Sequence, residues 1–361
     1  MTSQELTAET VIRHQAAAVA VRGMCRDHED HQLPVERRNE WRFRMHYGSV
    51  ILELDDQDLK IRVSAADETD LSYMRMIVAG HVREYLDSAV AIRWSGDGGT
   101  SSIPVFFREI TVMSSERISP HMQRLRFSAR DIGRFTSGGI HLRLLIPPRG
   151  RKPVWPTIGE DGLLVWPQGE DALTVRIYTI QAIDVEKGFV DIDFVLHPGL
   201  ETPAAKFAQT AKPGEVIGMI GPGGEHVPDG GHLILLGDDT AIPAISRILR
   251  ELPEGRTADV WIEVDGPGDI LPLKAETASV RWLFRKGRPA GTTGLLSDAV
   301  RKIDPKTLPE DIFVWSGSEF TDFKEIRRIV RKEWGLAKDR QLIVAYWRRG
   351  AQGDDARSEA A

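Results

Sequence analysis

Apolar and polar positions alternate in short runs along this chain, and the period of the alternation changes twice. Residues 1–95 predict a small α+β domain. Its pattern gives a helix over 7–28, short strands over 49–54 and 59–64, and a second helix over 68–86. The run Ser95-Gly96-Asp97-Gly98-Gly99-Thr100-Ser101-Ser102 then breaks all periodicity and reads as a linker. Residues 104–230 carry about six short strands, over 106–113, 122–127, 142–146, 173–180, 190–196 and 216–220. Gly and Pro turns part them, which predicts an antiparallel six-stranded β-barrel. From 231 to 350 the strands 232–236, 259–264, 280–284, 312–315 and 341–345 alternate with helices over 241–252, 293–302 and 322–334. That alternation predicts a doubly wound α/β domain on a parallel sheet. Residues 351–361 read as a flexible tail.

Composition narrows the picture. A length of 361 residues fits two or three domains, and 41% hydrophobic residues is ordinary for a folded protein. The lone Cys25 excludes internal disulfides, a four-cysteine zinc site and a self-contained iron–sulfur cluster. It also fits a reducing compartment. No apolar run approaches the roughly 20 residues needed to span a bilayer. Glu5 and Glu9 stand where a signal peptide would be basic, so a cytoplasmic location is expected. The net charge of −6 conceals a segregation: residues 101–152 carry +7 and residues 323–349 carry +6. Two basic stretches in an acidic chain suggest local binding of an anion. A nucleic-acid partner is not expected, because the whole-domain basic excess is missing. The second stretch reads equally well as a solvated helix face.

Three motifs add chemistry. Arg176-Ile177-Tyr178-Thr179 ends a predicted strand, so Arg176 and Tyr178 share one face while Thr179 points away or sits at a turn. An arginine can grip phosphate, a tyrosine can stack on a flat ligand, and a hydroxyl can bond a ring nitrogen. Those are the demands of a flavin nucleotide, although Arg-x-Tyr on a strand is more commonly plain surface. Thr202-Pro203-Ala204-Ala205 starts a helix with a good cap and small residues, as a phosphate site or an ordinary capped helix would. Leu236-Gly237-Asp238-Asp239-Thr240-Ala241 runs a strand through a glycine turn into a helix, where doubly wound sheets bind nucleotides. The Gly-x-Gly-x-x-Gly fingerprint is absent.

In order, these motifs resemble the ferredoxin–NADP reductase superfamily, and more closely the siderophore-interacting proteins, which are flavin-dependent ferric-siderophore reductases. The resemblance runs over residues 105–350. It is carried by Arg176-Ile177-Tyr178-Thr179, Asp191-Ile192-Asp193-Phe194-Val195-Leu196-His197, Pro203-Ala204-Ala205-Lys206-Phe207-Ala208, Gly221-Pro222-Gly223-Gly224 and Tyr346-Trp347-Arg348-Arg349-Gly350. It implies that Arg176 binds the FAD pyrophosphate. Tyr178 would stack on the isoalloxazine, and Thr179, beside Ile177, would bond near its reactive edge. The strand with Asp193 and Val195, ending at His197, and the helix start at Pro203, Ala204 and Ala205 would hold the remaining phosphates. Gly237, Asp238, Thr240, Ala241, Gly317 and Glu319 would face an NADH or NADPH donor. Arg143, in His141-Leu142-Arg143-Leu144, would grip an anionic ferric siderophore together with Arg348 and Arg349. Two departures stand out. The family commonly has Gly-Pro-Ala-Ser at residues 202–205, and Ser316-Gly317-Ser318-Glu319 is one residue longer than the usual Ala-Gly-Glu.

The expected activity is electron transfer from NAD(P)H through FAD to siderophore-bound Fe(III), releasing Fe(II). Alternatives are a flavin-dependent reductase of another acceptor, such as a ferredoxin or a quinone, and a non-catalytic ferric-siderophore carrier or sensor. A ferredoxin is also a possible alternative donor. In the first domain, Cys25, His28 and His31 fall at i, i+3 and i+6, with His81 on the second predicted helix. Such a set can ligate a metal, but scattered structural or surface histidines are the commoner case, and no metal site is assigned. That domain resembles a small bacterial family without an assigned activity, on His28-x-x-His31, the Gly48 turn and Val78-Ala79-Gly80-His81-Val82-Arg83.

Overall fold

The computed structural model describes residues 5–35, 37–86, 90–98, 102–196, 202–224, 226–274 and 276–351. It divides into two compact units, Met1–Phe107 with Gly150–Leu173, and Arg108–Arg149 with Thr174–Ala361.

The first unit is built on strands β1 (Leu6–Arg13), β2 (Gln32–Leu33), β3 (Glu40–Met45), β4 (Gly48–Asp55), β5 (Asp58–Ala65) and β6 (Ser95–Gly96). They form one sheet in the order β2-β3-β4-β5-β1-β6. Helices α1 (Ala17–Asp27) and α2 (Glu68–Tyr85) pack on it. Strand β5 alternates perfectly, with Leu59, Ile61, Val63 and Ala65 buried, and these meet Leu71, Met74, Val78 and Val82 of α2 in one core. Asp67 caps α2 by accepting from the Thr69 and Asp70 amides. The helix expected over 7–28 is a correction: its first half is strand β1, pairing with β5 along its whole length. The inward residues there are Ala8, Thr10 and Ile12. Two of the three are small or polar, so composition masks the period-2 pattern that a half-buried strand normally displays. The segment Gly150–Leu173 also belongs here. Arg83 pairs with Asp161 at 3.3 Å, and Trp94 Nε1 donates to the Asp161 carbonyl at 2.8 Å.

The second unit begins with β7 (Phe107–Ser119), β8 (Met122–Ala129), β9 (His141–Ile146), β10 (Thr174–Thr179), β11 (Ala182–Asp184), β12 (Phe189–Val195), helix α3 (Pro203–Thr210) and β13 (Val216–Gly223). The strand order is β10-β9-β13-β7-β8-β12-β11. The chain passes directly from β10 into β11, which occupy opposite ends of that order. One segment therefore joins both edges and closes the sheet into a barrel. It has seven strands rather than six because Gln181, whose amide bonds the Asp191 carbonyl, redirects the chain from one neighbour to the other. Leu142, Leu144, Leu125, Phe127, Ile192 and Phe194 fill its interior.

The remainder holds β14 (His232–Gly237), α4 (Ile242–Arg250), β15 (Thr257–Val264), β16 (Ala278–Phe284), α5 (Leu295–Arg301), β17 (Ile312–Glu319), α6 (Phe320–Arg328) and β18 (Gln341–Trp347). The sheet is parallel throughout, in the order β16-β15-β14-β17-β18. The order reverses at β14, so the crevice for a ligand opens at the carboxyl ends of β14 and β17. Gly237 and Gly317 stand opposite each other there. Among the described residues no helix is long and apolar enough to cross a membrane.

Candidate functional site

Strand β10 presents the first half of the site. Pairing with β9 sets Thr179 opposite His141, Tyr178 opposite Leu142 and Ile177 opposite Arg143. Tyr178 therefore turns inward with Leu142 and packs on Phe194, the ring centroids 4.4 Å apart. Burial pushes its phenol above the usual range, against the opposing charge of Arg176. Arg176 is half-buried and donates to the Val175 carbonyl at 2.7 Å. Among the described residues it has no carboxylate partner, so its guanidinium remains available to an anion.

Thr179 looks the other way and starts a hydrogen-bonded chain. Its Oγ1 lies 3.2 Å from His141 Nδ1, and His141 Nε2 lies 3.1 Å from the Tyr346 hydroxyl. A neutral imidazole offers one donor and one acceptor, and both hydroxyls can play either part. The relay runs from the barrel to the last strand of the parallel sheet. Tyr346 in turn covers Gly317, where a Cβ would sit 2.8 Å from the ring.

The carboxyl ends of β14 and β17 form the second half. At Gly237 a Cβ would come within 2.3 Å of the Ala241 methyl, so only glycine lets the turn close onto helix α4. Asp238 is buried and receives four donors. They are the Thr240 amide at 2.9 Å, the Thr240 hydroxyl at 2.5 Å, the Glu319 amide at 3.0 Å and Trp347 Nε1 at 2.8 Å. Glu319 is likewise committed: it caps α6 through the Thr321 amide and accepts from the Arg349 amide at 3.1 Å. Beneath them Arg285 pairs with Asp239 at 2.7 Å and approaches Glu263 at 3.8 Å. One cation cannot balance two buried carboxylates. Burial accordingly pushes Asp239 up to about 6 and Glu263 up to about 7, although the Thr293 hydroxyl bonds Glu263 at 2.8 Å.

Arg348 and Arg349 line a cavity of about 1330 Å³ between the loop at Gly291–Gly294 and helices α5 and α6. Glu319, Phe320, Lys324, Arg327 and Arg331 share its walls, and the Arg348 guanidinium lies 4.6 Å from the Phe320 ring centre. Arg143 projects, exposed, from the middle of β9 and is not among those walls. The structure thus joins two of the three candidate arginines in one basic cavity and sets the third on the barrel surface.

The other expected contacts divide. Asp193 makes a bidentate pair with Arg124 at 2.6 and 2.8 Å, so its carboxylate is engaged and not turned to a phosphate. Val195 packs on the core that includes Leu233 and Ile245. Pro203, Ala204 and Ala205 form the first turn of α3, with Thr202 Oγ1 accepting from the Ala205 amide at 3.3 Å. His197 lies outside the described residues. His141, Tyr346, Glu263 and Arg285 escaped sequence reasoning as site residues. For the last two no clear signal existed: Glu263 stands one residue before the end of Thr257–Val264, which also carries Asp259, and Arg285 just follows Ala278–Phe284, which carries Arg281.

A closed barrel whose Arg176 has no carboxylate partner among the described residues, followed by a parallel sheet open at its switch point, has the layout of a flavin reductase module. The match to known families is equally direct. Residues 111–226 match the siderophore-interacting FAD-binding domain and residues 231–350 match the siderophore-interacting protein family. Residues 9–95 match an uncharacterized protein family conserved in bacteria. The chain belongs to the siderophore-interacting protein family. It is 28% identical over 252 residues to the ferric vibriobactin reductase of Vibrio cholerae, covering 68% of this chain and 91% of that protein. Among solved structures it is similar to a siderophore utilization protein from T. fusca, with 30% identity and a TM-score of 0.58 over 70% of this chain and 97% of the other. The siderophore-interacting protein SipS from Aeromonas hydrophila aligns with 27% identity and a TM-score of 0.59, over 70% and 96%. The residues present fit FAD. Among the described residues Arg176 has no carboxylate partner, and Ala204 and Ala205 add only methyl groups at a helix start.

Proposed function

We propose that the protein is a cytoplasmic ferric-siderophore reductase that takes electrons from NADH or NADPH through FAD. The match of residues 111–226 to a siderophore-interacting FAD-binding domain, with Arg176 on that barrel and no carboxylate paired to it among the described residues, carries this reading. The name of the Vibrio cholerae relative, a ferric vibriobactin reductase, supports iron chelate as the substrate class.

Bound FAD would supply the conversion of a two-electron donor into the single-electron steps that ferric iron accepts. The protein's residues bind, orient and shield. Arg176 neutralises phosphate charge. Tyr178, wedged on Phe194, gives the barrel a rigid aromatic platform. Thr179 holds a hydroxyl at a fixed place because His141 and Tyr346 anchor it from behind. Gly237, Thr240 and Gly317, at the carboxyl ends of β14 and β17, would face a nicotinamide donor, while Asp238 holds the two strand ends together through the Glu319 amide. Arg348 and Arg349, in their basic cavity, attract an anionic ferric siderophore, with Arg143 acting from the barrel surface.

Two measurements test this. The protein reconstituted with FAD should be yellow and bleach anaerobically with NADH or NADPH. Replacing Arg349 or Arg143 with Glu should raise KM for an anionic ferric siderophore while leaving flavin content unchanged. An unchanged KM in both variants rejects the arginine assignments, and failure to bind FAD rejects the whole reading.

A further inference from the structure

Helix α4 starts where the chain leaves the turn at 237–241, and its far end is fastened to the barrel. Ser246 and Arg250 stand four residues apart, so they share one face of that helix. Both reach Gln181. The Gln181 side-chain amide donates to Ser246 Oγ at 3.2 Å, and Arg250 Nη1 donates to the Gln181 side-chain oxygen at 3.2 Å. Arg250 Nη2 also donates to the Gln181 carbonyl. Gln181 lies two residues past Thr179, where the chain leaves β10 for β11. Its backbone N–H is taken by the Asp191 carbonyl of β12 at 3.0 Å. The residue that closes the barrel thus gives its carbonyl and both ends of its side-chain amide to α4.

We propose that Gln181, Ser246 and Arg250 are positioning residues that set how a nicotinamide donor meets the flavin. The inference rests on the reading of Thr179 at the flavin's reactive edge and of the turn at 237–241 at the donor. On that reading the two reactants lie at either end of one short, rigid link. In the hydride step a C–H bond of the nicotinamide breaks, and its hydrogen passes to the flavin with the electron pair. The nicotinamide is oxidised and the flavin reduced. Such a step needs the reacting atoms about 3–3.5 Å apart, and an error of about 1 Å can cost about 100-fold in rate. Single-electron delivery to ferric iron forms no bond to the flavin and lacks that demand. Two further contacts join the barrel to the parallel sheet. Asp269 accepts from the Ser119 hydroxyl at 3.1 Å and lies 3.0 Å from His121 Nδ1, and His141 meets Tyr346. They keep the halves together when the α4 link is cut, so its loss shifts the donor turn without unfolding either half.

The test separates the two half-reactions in the FAD-loaded full chain. Under anaerobic stopped flow, Arg250→Ala should slow flavin bleaching by saturating NADH or NADPH about 10-fold, and Ser246→Ala less. FAD affinity, and the rate at which a ferric siderophore reoxidises dithionite-reduced protein, should match the parent in both variants. Without turnover, the absorption change of bound flavin on saturation with NAD+ or NADP+ should shrink in Arg250→Ala. Arg250→Lys, which keeps a donor for the Gln181 carbonyl, should recover part of the bleaching rate. Parental bleaching rates in both alanine variants overturn the proposal. So do equal losses in both half-reactions or a fall in FAD affinity, which mark a general structural role. A parent protein that neither nucleotide bleaches removes the reductase reading and this inference with it, whereas parental rates in the variants remove this inference alone.

Discussion

The two halves of the electron-transfer unit handle charge in opposite ways. On the barrel, Arg176 has no carboxylate partner among the described residues, and, two residues on, Tyr178 packs against Phe194. At the carboxyl edge of the parallel sheet every acid is spoken for. Asp238 gathers four donors, Glu319 caps a helix, and Asp239 and Glu263 share Arg285. The first arrangement leaves a cation ready for an anionic ligand. The second spends its charge on holding two strand ends and two helix starts in place. A ligand-binding residue and a positioning residue thus differ by whether the protein has already satisfied them.

That contrast can be broken from either side. The largest effect is expected for Asp238→Ala, which strands the Glu319 amide, Trp347 Nε1 and the Thr240 groups. It should cost about 3–5 kcal/mol and lower the melting temperature in calorimetry even without FAD. Arg176→Ala should do the reverse. FAD affinity should fall about 10- to 100-fold in a flavin fluorescence titration. The melting temperature of the flavin-free protein should move by less than about 2 °C.

Next comes Glu263→Gln. The folded carboxyl keeps its proton up to about pH 7, whereas the unfolded one loses it near 4.5. Its contribution is therefore fully present below pH 4.5 and is lost as pH rises to about 7, by at most about 1.4 kcal/mol per pH unit. The neutral Gln removes that slope. In urea titrations the variant should lose less stability than the parent between pH 5 and pH 8. Equal slopes would place the proton elsewhere. The smallest effect is expected for Tyr346→Phe, which leaves His141 Nε2 without its hydroxyl. About 1 kcal/mol of stability should go, or roughly 2–4 °C in the melting temperature.

The same contrast explains what the sequence disclosed. Arg176, Tyr178 and Thr179 were legible because a strand's period of two and a compact motif put them in known relation. The strand-helix alternation likewise announced the parallel sheet. The role of Asp238 was not legible, since its partners Glu319 and Trp347 are 81 and 109 residues away. Nor was the Thr179–His141–Tyr346 chain, which joins β10, β9 and β18. Asp193 shows the opposite failure. Its place in a family motif suggested a phosphate neighbour, but Arg124 on the adjacent strand claims its carboxylate. Strand β1 was hidden because small Ala8 and polar Thr10 occupy inward positions. Closure of the barrel by one segment that changes partners at Gln181 is a tertiary event with no local signature.

The account rests on electrons reaching chelated iron through a flavin held on the barrel. The direct measurement is anaerobic mixing of the FAD-loaded protein with NADH or NADPH and a ferric siderophore, in the presence of a ferrous-specific chromogenic chelator. The account predicts bleaching of the flavin followed by stoichiometric appearance of the ferrous complex. Bleaching with no ferrous complex from any siderophore class would contradict it.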